Sequence, residues 1–286
     1  MTVTHLSARV APQTAGAPPR TSPLHDARRL WGPAGVDLTV VIPFYNPGAA
    51  LRQTALAVIE CIGALGISFE IVAVCDGSTD GSADTVRDLP YVRVLVNERN
   101  EGKGAALRRG FAAATGDWVG FVDADGDISP HHLADYLTHA REGGLAGVYA
   151  DKRHTGSVCA VTGLRKAISR TYSALISSLF GLEVRDTQTG CKIFRRDVLQ
   201  LLLPRLRECR FAFDLEFFLS ARSVGITDFV GAPVELARRV NGSTINSKAI
   251  LRTLGDTLAV YGRHRRAGSP PPPVATLPVT APGRAA

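Results

Sequence analysis

Apolar residues gather in four short runs along the first half of the chain: LTVVIP at 38–43, FEIVAVC at 69–75, VRVLV at 92–96 and WVGFVD at 118–123. In most of them successive residues are apolar, not alternate ones, which is the pattern of a strand covered on both faces. The stretches between, at 49–65, 80–88 and 103–115, carry helical character. The order β-α-β-α-β-α-β predicts an α/β fold with a doubly wound, mostly parallel sheet flanked by helices. Such sheets take ligands beyond the carboxyl ends of their strands. A polar motif stands at each of those ends: PFYN, DGSTDGS, NERNEGKG and DADGD.

DADGD sets carboxylates at Asp123, Asp125 and Asp127. In an extended segment their alternation turns two or three of them into one cleft. Hard oxygens of this kind suit Mg2+ or Mn2+, which completes its shell with substrate phosphates and water. A solvated Asp/Gly turn is the alternative. An EF-hand is excluded, because position 12 counted from Asp123 is Ala134, not glutamate. Asp76, ending the second run, stands where a carboxylate accepts hydrogen bonds from a nucleobase or ribose. Asp80 reads as a cap or first-turn acid. NEGKG opens a helix with two glycines and Lys103, either an anion site or a solvated helix start. It is not a Walker A loop, since Gly104 follows the lysine and Asn97 replaces the required glycine.

Composition narrows the class without naming it. With 286 residues, 45% apolar and 21% charged, the chain can bury a large core. Its five cysteines are scattered and contain no Cys-x-x-Cys pair, so they read as core residues in a reducing cytoplasm. The start lacks an apolar h-region, and no apolar run approaches the roughly 18 residues of a membrane span. Residues 1–36 and the Pro-rich 267–286 are expected to be flexible tails around a domain at 37–266. Four arginines lie in 1–36 and four in 262–286 against a single acid, so the net charge of +7 belongs to the ends. A near-neutral body argues against nucleic acid as partner; basic ends suit either solubility or an anionic membrane surface.

Taken in order and spacing, VVIPFYN, CDGSTDGS, NEGKGAALRRG and DADGD resemble family 2 glycosyltransferases of the GT-A fold. LRKAISR at 164–170, DTQTGCKIFRR at 186–196 and FDLEF at 213–217 are similar to the branch that makes polyprenyl-phosphate hexoses, the dolichyl-phosphate glucose and mannose synthases. The resemblance implies an inverting transfer of a hexose from a nucleotide diphosphate sugar, UDP-glucose before GDP-mannose, to polyprenyl monophosphate. It also implies that Pro43, Tyr45 and Asp76 hold base and ribose. Asp123 would reach the ribose or phosphate side and Asp125 the metal, with Asp127 where relatives often have glutamine and Pro47 where they have glutamate. Lys152 or Arg153 stands near a phosphate-binding arginine, and Arg165 with Ser169 resembles an acceptor-phosphate pair at helical spacing. Asp186 resembles an aspartate placed near the sugar; a phosphate acceptor is already ionised at neutral pH, so an orienting role suffices.

Two segments, 164–182 and 247–266, carry apolar stripes next to cations. Ile250, Leu251, Leu254, Leu258 and Tyr261 form the second stripe, ahead of Arg263, Arg265 and Arg266. Such stripes face a core or a membrane surface. The second choice predicts a peripheral protein on the cytoplasmic face of a membrane. Competing readings are a family 2 enzyme acting on a polysaccharide or secondary-metabolite acceptor, and a non-catalytic sugar-nucleotide-binding protein.

Overall fold

The computed structural model describes residues 35–159, Thr171, 188–236 and 247–266, all within one unit spanning Ala34–Ala286. The two expected tails fall almost wholly outside these residues, as does most of the apolar stripe at 164–182. Strand β1 (Leu38–Phe44) leads to helix α1 (Ala50–Gly63), β2 (Phe69–Asp76), β3 (Val92–Asn97), α2 (Lys103–Ala113), β4 (Trp118–Val122), α3 (His131–Glu142) and β5 (Gly147–Ala150). Then come β6 (Cys191–Arg195), α4 (Arg196–Leu202), α5 (Phe213–Ser223), β7 (Phe229–Ala232) and α6 (Ser247–Arg266). The four expected strands form within a residue or so of their apolar runs. The helix expected at 80–88 shrinks to a 3-10 turn, Ser82–Val86.

The seven strands lie in the order β3-β2-β1-β4-β6-β5-β7. All run parallel except β6, which is antiparallel to both β4 and β5. Side-chain alternation divides each strand between two cores. Leu38, Val40, Ile42 and Phe44 of β1 pack with α1 and α3, using Leu51, Val58, Tyr136 and Leu137. Val41 faces the other way, into Leu107, Phe111, Phe121, Phe194 and Phe217 from α2, β4, β6 and α5. With both faces covered, consecutive apolar residues are what the strands need. The second core is aromatic, with Phe194 and Phe217 ring centroids 4.4 Å apart.

Helix α6 docks on α5 through Val260, which joins Ala212, Leu215 and Leu219. Arg263 pairs with Glu208 at 3.1 Å and with Glu216 at 3.0 Å. Glu216 in turn accepts the backbone N–H groups of Arg207 and Glu208. This corrects the expectation for Arg263: it is a tether between α6 and the loop before α5, not a cation spread on a surface. The docking face at Thr257 and Val260 is also not the predicted stripe, because Leu258 is 59% exposed.

Candidate active site

The sheet reverses its winding between β1 and β4, so the switch-point crevice opens beyond Phe44 and Val122. Pro43 and Phe44 are the last two residues of the fully buried strand β1, and Tyr45 beyond them is 53% exposed. The β1 and β2 loops are fastened to each other. The Asn46 N–H donates to Ser78 Oγ at 2.9 Å, the Thr79 N–H to Asn46 Oδ1 at 2.8 Å, and the Gly48 N–H to Asp80 Oδ2 at 2.9 Å. Asn46 takes a positive φ of 49° to close this exchange, a conformation asparagine tolerates better than most residues. Asp80 also accepts the Ser82 N–H and hydroxyl, so it steadies the first turn of the 3-10 helix while holding the neighbouring loop.

Asp76 is 3% exposed and turned inward. Its carboxylate accepts Asn97 Nδ2 at 3.0 Å, the Glu101 N–H at 3.0 Å and the Gly102 N–H at 2.8 Å. A buried carboxylate must be satisfied in this way, and the effect is to set the loop 97–102 and the start of α2. That start carries Lys103, whose Nζ lies 2.5 Å from Asp123 Oδ1 and 5.4 Å from the centroid of the Phe121 ring. Burial pushes the Lys103 ammonium toward losing its proton; the carboxylates of Asp123, Asp214 and Asp125 more than offset this, and its pKa is raised. The lysine is therefore a fixed positive charge at a helix N-terminus, a setting that attracts anions.

Residues 123–127 form a turn, not the extended segment expected. Gly126 has a φ of 72°, and the Asp127 N–H donates to Asp125 Oδ1 at 3.1 Å. Buried Thr54 of α1 supports the turn through the Ala124 carbonyl at 3.3 Å. Asp125 is exposed at the tip, with Asp123 and Asp127 half-buried on either side. Among the described residues no three His, Cys, Asp or Glu side chains converge as a metal cage. The turn instead fits a cation held by one or two carboxylates and completed by substrate phosphates, the usual habit of Mg2+. Lys152 and Arg153 follow β5 at the same edge of the sheet, half-buried and exposed respectively. Arg165, Ser169 and Asp186 lie outside the described residues.

Three site-forming residues escaped the sequence reading. Gly190, ahead of β6, accepts the Asp123 N–H at 3.0 Å, and a Cβ there would fall inside the Asp123 carboxylate. Lys192 and Asp214 form a buried ion pair of 2.9 Å close behind it. A lone charge inside the apolar run CKIF was the available signal.

An acidic turn and a lysine-bearing helix start flank the switch point, the place where open α/β sheets bind their ligands. The sequence profile of glycosyl transferase family 2 matches residues 39–203, more than half of the chain, and the chain belongs to that family. The dolichyl-phosphate beta-glucosyltransferase of Dictyostelium discoideum is 27% identical over 206 residues, covering 66% of this chain and 63% of that protein. The undecaprenyl-phosphate 4-deoxy-4-formamido-L-arabinose transferase of Shewanella sediminis is 28% identical over 172 residues, covering 58% of this chain and 50% of that protein. The chain thus spans less than two thirds of the length of these relatives. The crystal structure of glucosyl-3-phosphoglycerate synthase from Mycobacterium tuberculosis in complex with uridine diphosphate superposes with a TM-score of 0.61 at 20% identity, covering 87% of each chain. A complex of the same enzyme with Mn2+, UDP-glucose and phosphoglyceric acid gives 0.58, covering 80% of this chain and 81% of that one. These neighbours establish the GT-A fold.

Proposed function

We propose that the protein transfers a hexose, with inversion, from a nucleotide diphosphate sugar, UDP-glucose before GDP-mannose, to polyprenyl monophosphate. The observation that carries the donor half is the charged pair Lys103–Asp123 beside the Asp123–Asp127 turn at the switch point. The acceptor half is supported by the names of the curated relatives, which pair polyprenyl-type phosphates with sugars.

In this reading Tyr45 and Pro43 flank the nucleoside. Asp76 contributes through the loop it holds, and Lys103 offers its charge to the diphosphate. Asp125 and Asp127 would hold a divalent cation, which when bound neutralises the departing diphosphate. Lys152 or Arg153, with Arg165 and Ser169, would hold the acceptor phosphate by charge-assisted hydrogen bonds, and Asp186 would orient the sugar. Incubating the protein with a panel of sugar nucleotides, Mn2+ and either undecaprenyl phosphate or 3-phosphoglycerate, followed by mass spectrometry, tests both halves. A hexosyl-lipid product is expected. Product on phosphoglycerate alone would replace the lipid acceptor by a soluble one, and no product with any donor would remove the transfer reading.

The same reading makes the protein peripheral on the cytoplasmic face of a membrane. No helix among the described residues is long and apolar enough to cross one. The support is the flank of α6, where Leu258 is exposed beside half-buried Leu254 and Tyr261, ahead of a basic end. Each cation near an anionic surface contributes about 1 kcal/mol, so Arg265→Gln with Arg266→Gln is expected to weaken binding to anionic liposomes about thirtyfold at low salt. Flotation equal to wild type across a salt series would refute this anchor.

A further inference from the structure

We propose that Lys192 and Asp214 are positioning residues of the donor site, holding the peptide at Thr189–Gly190 against Asp123; the inference rests on the donor-site reading above. Lys192 is 0% exposed, although its neighbours Cys191, Ile193 and Phe194 in β6 are apolar core residues. Its Nζ donates to the Thr189 carbonyl at 2.6 Å and to Asp214 Oδ1 at 2.9 Å, and it stands 4.9 Å from the centroid of the Phe121 ring. An ammonium has three donors, and here a carbonyl, a carboxylate and an aromatic face surround it. It is fully committed inside the protein and out of reach of any ligand.

Stability alone does not explain such a pair, because well-packed apolar side chains of similar volume commonly serve as well. What apolar side chains cannot do is pull a backbone carbonyl toward themselves. The bond from Lys192 to Thr189 curls the two residues leading into β6, Thr189 and Gly190, and Gly190 lies between its ends. The Gly190 carbonyl accepts the Asp123 N–H, and its missing Cβ leaves the space that the Asp123 carboxylate fills. Asp123 is then presented to Lys103 at 2.5 Å.

Asp214 closes the chain of contacts from the first turn of α5, where a negative charge is favoured by the helix dipole. Its field also reaches Lys103 and favours that lysine's charged form. Two cations, Lys103 and Lys192, thus share the Phe121 ring and are balanced by Asp123 and Asp214. Two of the motifs that set this branch apart, DTQTGCKIF and FDLEF, meet in the Lys192–Asp214 contact behind the carboxylate they serve.

The double variant Lys192→Met/Asp214→Leu removes both charges together, so neither is left buried and unpaired. Its melting temperature is expected to stay near that of wild type. Hydrogen exchange at the Asp123 amide should be about tenfold faster, and uridine diphosphate with Mn2+ should bind about tenfold more weakly, as a shift of the site by a fraction of an ångström would produce. The KM for acceptor should be unchanged. Wild-type exchange at Asp123 together with wild-type affinity for uridine diphosphate would overturn the proposal. If the double variant does not fold, Asp214→Asn keeps the shape and the Oδ1 acceptor while removing the charge. It should shift both readouts in the same direction, and its failure to move either would likewise overturn the proposal. If wild type itself does not bind uridine diphosphate, the donor reading falls, and exchange at Asp123 alone decides the positioning role.

Discussion

Gly190→Ala should cost at least about a hundredfold in transfer rate while leaving the protein folded, because misplacing a reacting-site group by about an ångström has that order of effect. The added Cβ has no vacant space to enter, since the Asp123 carboxylate occupies it. Backbone relaxation is restrained by the 3.0 Å bond from the Asp123 N–H to the Gly190 carbonyl, which fixes the separation of the two segments. The carboxylate is the softer element and turns away, breaking its contact with Lys103. Overpacking of this kind costs typically 1–3 kcal/mol in stability, which a domain of this size survives. Initial rates alongside urea denaturation separate the two effects. A folded variant with at least half the wild-type rate would show that Asp123 does not sit at the reacting phosphates.

Asp125→Asn should reduce transfer by about a thousandfold, the scale of losing a principal charged contact to a developing negative charge. Asparagine is the informative replacement because its side-chain oxygen can still accept the Asp127 N–H that closes the turn, whereas alanine would also loosen the backbone. A cation resting on one or two carboxylates has little redundancy, so its binding should fall with the rate. Titration of Mn2+ in the presence of uridine diphosphate reads that directly. Asp127→Gln, which retains a ligand oxygen, should be much milder. Unaltered Mn2+ affinity in Asp125→Asn would assign the cation elsewhere.

The strands and the ends that bear the site were legible because burial on both faces leaves a plain signature in consecutive apolar residues, and because ligand-facing loops there must be polar. Lys103 and the acidic triplet were singled out in this way, and the structure brings Lys103 and Asp123 together. The geometry of the triplet was not, since an extended segment and a turn closed by Gly126 place the same three aspartates in the same order. Lys192 and Asp214 are 22 residues apart and meet only through the packing of α5 on β6, information that no local pattern carries. Arg263 misled for a related reason. A terminal cluster of arginines looks uniform in sequence, but one of them happens to face two glutamates.

The reversed direction of β6 has a consequence for how this protein could diversify. β5 ends, and β6 begins, at the same edge of the sheet, beside the carboxyl end of β4. The chain from Asp151 to Gly190 therefore leaves and rejoins the framework at one rim, as an inserted cassette would. Apart from Gly190 and the Lys192–Asp214 pair, the residues of the proposed donor site stand on β1 through β4 and the stretches that directly follow them, ahead of that segment. Under the proposed function, an exchange that stopped short of Thr189 and Gly190 would change what receives the sugar and leave in place the part proposed to bind the donor.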